Sequence, residues 1–179
     1  MQEIAEFPLQ YPLMLEYYYE HSGDRAFLEA MVDNVFPGLF AYYATYENET
    51  GLLAGLNKPE KWLVIDWPGN MRDGYDYSNG AAPNTLLNGF YYGALQCVAR
   101  LEALLGRDGS AYTARADRVA EVFSMLLADP ATGLYVDAPG STHSSLHANA
   151  IPLVFGLTKG ADPARMLEFI KSKGLSCGV

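Results

Sequence analysis

The chain has 179 residues, half of them apolar, with 12 Lys and Arg against 21 Asp and Glu and a formal charge of −9. A chain of that size folds as one domain, and its 13% aromatic and 18% charged content argues against disorder. The acidic balance repels phosphate and offers no basic patch, which argues against a nucleic-acid partner. No apolar run reaches the roughly 20 residues of a membrane helix.

The opening MQEIAEFPLQ has neither a basic region nor an apolar core, so no signal peptide is visible and the chain reads as cytoplasmic if it is complete. The closing GLSCGV follows a helix with no polar tail, and both ends read as cuts through a larger protein. Cys97 lies in an apolar helical run and reads as a buried thiol, with no disulfide to Cys177 expected.

In chain order, Phe7 to His21 carries apolar residues at helical spacing, with Pro8 and Pro12 in the first turns, and Tyr17-Tyr18-Tyr19 reads mostly as core. Glu3 and Glu6 flank its start, where a solvated first turn is expected. Gly23 stops this helix and Asp24 caps a second, over about 25–46, with Phe27, Leu28, Met31, Val32, Val35 and Leu39 as its stripe and a kink at Pro37-Gly38. A long connection, 47–82, contains one strand-like run, Lys61 to Trp67. The third helix starts near Pro83, with Pro at the first helical position, and runs to Leu105, apolar on nearly every side and therefore buried all round. The fourth, 111–128, turns Tyr112, Ala116, Val119, Phe123 and Leu126 inward and Arg115, Asp117, Arg118 and Glu121 outward. A second connection, 129–142, leads to a mostly apolar fifth helix over 144–157, and Asp162 caps the last, 164–173.

The helices pair into three hairpins with short turns, while the connections between hairpins are long. Helices three and five are apolar all round, four and six amphipathic. The fold class is therefore all-α, with odd helices inside and even helices outside, wound as an α/α toroid. Similarity between hairpins is one of hydropathy more than of letters. All long connections lie where the inner helices begin, an end with free N–H groups and partial positive charge. A ligand face is expected there, built from 47–82, 129–146 and the first turns of helices three and five.

Asp66-Trp67-Pro68-Gly69-Asn70-Met71-Arg72-Asp73-Gly74-Tyr75-Asp76-Tyr77 packs carboxylates, an Arg and aromatic rings into one loop. Sugars need that mixture: a ring under their C–H face and polar groups gripping their hydroxyls. The alternative is a well-capped surface loop, with Arg72 paired to Asp66 or Asp73 and Trp67 in the core. In His143-Ser144-Ser145-Leu146-His147, the two histidines would share a helical face at i, i+4. That spacing allows a metal with Asp137 as a third ligand, hydroxyl recognition at a pocket rim, or imidazoles bonded to backbone with Ser144 as cap. No metal or other cofactor is expected. Asn88 in the apolar third helix needs a partner if buried. Nucleotide and serine-hydrolase motifs are absent.

VIDWPGNMRDGYDYSN, NTLLNGFYYGALQCVARLEALLG, GLYVDAPGSTHSSLHANAIPLVFGL and KGLSCGV together resemble the middle of the catalytic domain of bacterial α-L-rhamnosidases, glycoside hydrolase family 78. The resemblance implies an (α/α)6 six-hairpin barrel, of which residues 1–179 would be a single partial segment, half of the toroid. It also implies inverting hydrolysis of terminal α-L-rhamnosides by a general-acid Glu and a general-base Glu. The family's acidic motif lies upstream of the first helix and its base downstream of the last, so neither catalytic role is assigned to a residue of this chain. By resemblance Asp66, Trp67, Arg72, Asp73, Tyr75 and His143 fall on the sugar-facing side, and the rim histidine of the spacing argument adds His147. A non-catalytic carbohydrate-binding module, or a structural half-toroid completed by another chain or by a homo-oligomer, are the alternatives. Uncovered flanks of the inner helices should then leave apolar patches.

Overall fold

The computed structural model describes residues 3–58, 61–65, 67, 69–76 and 81–174. Capping residues set the helix ends. A 3-10 turn over Phe7–Gln10 leads into α1 (Tyr11–Ser22), with Pro8 and Pro12 each in an opening turn where no N–H is needed. α1 ends at Gly23, whose φ of 65° is left-handed and whose N–H donates to Tyr19 O at 2.8 Å. Asp24 then caps α2 (Arg25–Asn34), its Oδ1 accepting from Phe27 N at 3.0 Å.

The helix expected over 25–46 is two helices, α2 and α3 (Phe36–Ala44). The break falls at Val35, ahead of Pro37, because Pro37 has no N–H to donate back to Asp33 and its ring crowds that carbonyl. Pro37 instead sits in the first turn of a new helix, where both defects vanish. α4 (Thr85–Leu104) begins at Asn84, whose Oδ1 accepts from Leu87 N at 2.9 Å, so Pro83 precedes the cap instead of holding the first helical position. α5 (Ser110–Leu127), α6 (Leu146–Val154) and α7 (Pro163–Lys173) follow, the last capped by Asp162 as expected.

Among the described residues there are also four short strands and a 3-10 turn at Gly69–Arg72. β1 (Glu3–Ile4) pairs in parallel with β2 (Lys61–Trp62), and β3 (Ala128–Asp129) pairs antiparallel with β4 (Leu134–Tyr135). The strand expected over 61–67 stops after two residues, and Ile65 at φ 60° turns the backbone out of extended geometry.

α1, α4 and α6 form an inner row, with α2 and α3, α5, and α7 outside it. This is the all-α fold of a toroid segment. α4 lies at the centre, with Leu86, Leu87, Tyr91, Leu95, Val98 and Leu101 fully or nearly fully buried. Gly89 and Gly93 let α6 approach it: a Cβ at Gly93 would stand 2.6 Å from the Phe155 ring and one at Gly89 3.0 Å from Ile151. α5 buries Ala116, Val119, Phe123 and Leu127, a strict 3-4-4 spacing, which leaves Leu126 exposed, contrary to expectation. Arg115, expected outward, is drawn in: its Nε donates to Glu47 Oε1 at 2.9 Å, and the Tyr91 hydroxyl donates to the same oxygen at 2.5 Å.

Among the described residues the inner row carries exposed apolar side chains at both flanks. Met14, Tyr17 and Tyr18 on α1 are exposed, so two of the three consecutive tyrosines are not core, while Tyr19 packs against it. At the other flank Val154 of α6 is 75% exposed. No helix among the described residues is long and apolar enough to cross a membrane.

The internal repeat is more literal than hydropathy implied. Thr50-Gly51-Leu52-Leu53 and Thr132-Gly133-Leu134-Tyr135 close equivalent hairpins, one after α3 and one after α5. Gly51 and Gly133 are both left-handed, at φ 89° and 74°. Asn48 and Asp129 brace the turns by accepting from Thr50 and Thr132 hydroxyls at 2.6 and 2.9 Å. Each hairpin is then held by an asparagine one turn into the next inner helix. Asn88 accepts from Leu53 N at 2.8 Å and donates to Leu53 O at 3.0 Å and Asn84 O at 2.9 Å. Asn149 accepts from Tyr135 N at 2.9 Å and donates to Tyr135 O and Ser145 O, both at 3.0 Å. Both asparagines are fully buried.

Asn88→Ala strips both partners from a buried backbone unit, and Asn149→Ala does the same at Tyr135. At about 1–3 kcal/mol per orphaned group, each variant is expected to lose roughly 3 kcal/mol in urea unfolding. Asn84→Ala, which removes only a cap, should lose about 1 kcal/mol. Equal small losses in all three would show that the clamps carry no special weight.

Candidate functional site

The two long connections meet over the starting ends of α4 and α6, and Asp137 joins them. It is fully buried. Its Oδ2 accepts from Asp76 N at 2.8 Å and from His143 Nδ1 at 2.6 Å, and its Oδ1 accepts from Ser145 N at 2.8 Å. Its backbone carbonyl accepts from Thr85 N and from the Tyr75 hydroxyl, both at 2.9 Å. One residue thus binds the first loop, the second loop and the start of α4. A carboxylate facing Nδ1 places the proton there, so in neutral His143 the Nε2 is the acceptor; it faces Gly74, 3.6 Å from where a Cβ would stand.

Asp73 has φ 51°, in the left-handed region that Asp tolerates better than most residues. Its Oδ2 accepts from Leu146 N at 2.7 Å, which puts a negative charge at the positive end of α6, and Lys173 of α7 lies 2.9 Å away. Tyr75 is buried, and its hydroxyl accepts from Leu86 N at 3.2 Å while donating to Asp137. Asp73, Tyr75 and His143 are therefore brought together, and these bonds tie each of them to the frame.

Trp67 and His147 lie elsewhere on the same face. They line a cavity of about 220 Å³ with Glu6, Gln10, Phe90 and Ile151 among its other walls. Trp67 is 67% exposed, so it is not a core plug, and its ring meets Trp62 edge-on at 5.7 Å. The Arg72 guanidinium stands 5.9 Å from the Trp62 ring and so braces the pair. Asp73 pairs with Lys173. Asp66 lies outside the described residues, as does Cys177.

The histidine pair departs from its expected geometry. α6 begins at Leu146 with Ser145 as cap, accepting from Ala148 N at 3.0 Å, so His143 precedes the helix and shares no helical face with His147. The capping serine is Ser145, not Ser144. With Asp137 committed to three donors, the metal arrangement open at the sequence level has lost its geometry, and no cluster of three or more metal-binding side chains occurs among the described residues.

Glu6 is the residue that sequence reasoning misses. It is 3% exposed instead of solvated. Pairing of β1 with β2 draws it in: Ala5 N donates to Trp62 O at 2.9 Å, and the Tyr43 hydroxyl donates to Ala5 O at 2.8 Å. Glu6 Oε1 then accepts from Val64 N at 3.2 Å. Burial pushes its carboxyl above the ordinary 4.5, against hydrogen bonds from the Glu6, Val64 and Ile65 backbone that pull the other way. The sequence signal was slight, a Glu set between Ile4-Ala5 and Phe7-Pro8.

Inner and outer helix rows, with loops gathered at the inner-helix starts, define a segment of an α/α toroid. Residues 1–175 match the bacterial alpha-L-rhamnosidase six-hairpin glycosidase domain, and the chain belongs to that family. The crystal structure of a GH78-family rhamnosidase of Bacillus sp. GL1 superposes with a TM-score of 0.78 at 22% sequence identity, over 98% of this chain and 18% of that one. No match is found among curated proteins.

The Glu6 shift carries a pH signature. Between 4.5 and its raised value, the folded state holds a proton that the unfolded chain releases, so stability falls as pH rises through that window. Glu6→Gln escapes this, with His147 as the other titratable wall of the cavity. The variant should match the wild type in melting temperature near pH 4 and exceed it once pH has risen through the raised value. A gap independent of pH would contradict the burial assignment.

Proposed function

We propose that this chain is one wall of the sugar site of an inverting α-L-rhamnosidase, which hydrolyses terminal α-L-rhamnosides with an acid and a base supplied by sequence outside it. The observation that carries the reading is the exposed Trp67 ring beside a part-polar cavity, on the loop face of a rhamnosidase-family helical segment. A pyranose needs an aromatic surface for its C–H face and hydroxyl partners opposite. Trp67 and His147 fill those roles. Arg72 positions the tryptophan pair, and Asp73, Tyr75 and His143 hold the loops that present it.

Asp137 and Asp73 suit neither half of an inverting pair. Inversion needs two carboxyls roughly 6.5–9.5 Å apart with water between them. Asp137 is buried and filled by three donors, and Asp73 is held by a helix N-terminus and a lysine. The chain spans 18% of the similar rhamnosidase, which leaves ample sequence for the acid and base.

The longer protein that contains this segment should hydrolyse an aryl α-L-rhamnoside, releasing β-L-rhamnose first by proton NMR. Trp67→Ala should lower kcat/KM at least about tenfold through lost ring surface. Retention of configuration would overturn inversion, and full activity of Trp67→Ala would remove the cavity from the sugar site.

A further inference from the structure

Glu6 Oε2 is buried with no hydrogen-bond partner among the described residues, while Oε1 is paired to Val64 N. Buried polar atoms are rarely left so, and an unpaired one beside a cavity calls for a partner. Glu6 lines the same cavity of about 220 Å³ as Trp67, where Phe90 and Ile151 give apolar surface and Gln10 and His147 give polar surface. The loop carboxylates Asp73 and Asp137 already have partners, so neither matches this unpaired acceptor.

We propose that Glu6 is a sugar-binding residue, its Oε2 taking a ring hydroxyl of a monosaccharide that enters the cavity beside Trp67. The identity of the sugar rests on the rhamnosidase reading, whereas the role of Glu6 rests on the cavity and its unpaired oxygen. The interaction is a hydrogen bond and involves no bond breaking.

The chain labelled with carbon-13 at its glutamate carboxyls, with Glu6→Gln to assign the Glu6 signal, is titrated with L-rhamnose while tryptophan fluorescence reports occupancy. Trp67→Phe identifies the fluorescence response. The Glu6 signal should move in step with occupancy, and Glu6→Leu should bind at least about tenfold more weakly, with its melting temperature unchanged or raised. If fluorescence saturates while the Glu6 signal stays fixed, Glu6 has no part and the sugar cavity stands. Should Glu6→Leu fail to fold, that carbon-13 signal in the wild type decides alone. Absence of any response to L-rhamnose would overturn the proposal, and hydrolysis of an aryl rhamnoside by the longer protein would still judge the glycosidase reading separately.

Discussion

An apolar helix surrounded by other helices most readily takes a buried polar side chain near its start, where backbone groups are already unpaired. Everything on the loop face follows from how α4 and α6 use that turn. Each places one buried asparagine there, and the amide clasps both polar groups of one residue in the preceding hairpin. An amide side chain suits this task because it both donates and accepts, so it closes a two-bond ring with a peptide unit as another strand would. A carboxylate could take the N–H but would repel the carbonyl. The hairpins at Leu53 and Tyr135 are thereby set at fixed heights against the inner row, and the loops that leave them start from defined positions.

From that fixed start the second loop needs one further junction, and Asp137 supplies it. Three donors converge on a carboxylate with no solvent contact, drawn from both long connections. Charge buried in this way is costly unless every lone pair is engaged, so the arrangement tolerates little displacement of any partner. Asp73 repeats the principle with a helix terminus and a lysine. The result is a stiff frame beneath a more open region, in which Trp67 stands largely in solvent against Trp62. Rigid support beneath an exposed ring suits the saccharide platform proposed for Trp67, since a mobile ring would lose entropy on binding.

The parts of this structure that are legible in the sequence are those decided by one residue and its near neighbours. Gly23 and Asp24 end one helix and start another because left-handed backbone and a capping oxygen are local demands. The all-round apolarity of residues 85–104 is equally local, and it places α4 at the centre. Pro37 announced a break, and only its position shifted, since a proline destroys the turn before it. What stayed hidden depends on distant chain. Glu6 looked solvated because its neighbours in sequence are the opening of a helix, and its burial comes from a strand pair formed with residues 61–62. Arg115 looked external because Glu47, which draws it in, lies on another connection. His143 and His147 shared a spacing that means something only inside a helix, and Asp137 and Asp73 together decide that the helix begins after His143.

Three carboxyl groups on this face show why residue type alone could not assign roles. Asp73 and Asp137 meet several donors, which occupy their acceptor oxygens in holding loops. Glu6 meets backbone donors on one oxygen and none on the other, in a cavity whose remaining surface is largely apolar. Burial there favours the protonated form, which can donate as well as accept. A group with spare capacity beside an open volume is suited to a ligand, and a group with none is suited to architecture. On that distinction, Asp73 and Asp137 form the frame, and Glu6, which looked incidental, keeps an unpaired oxygen beside the cavity.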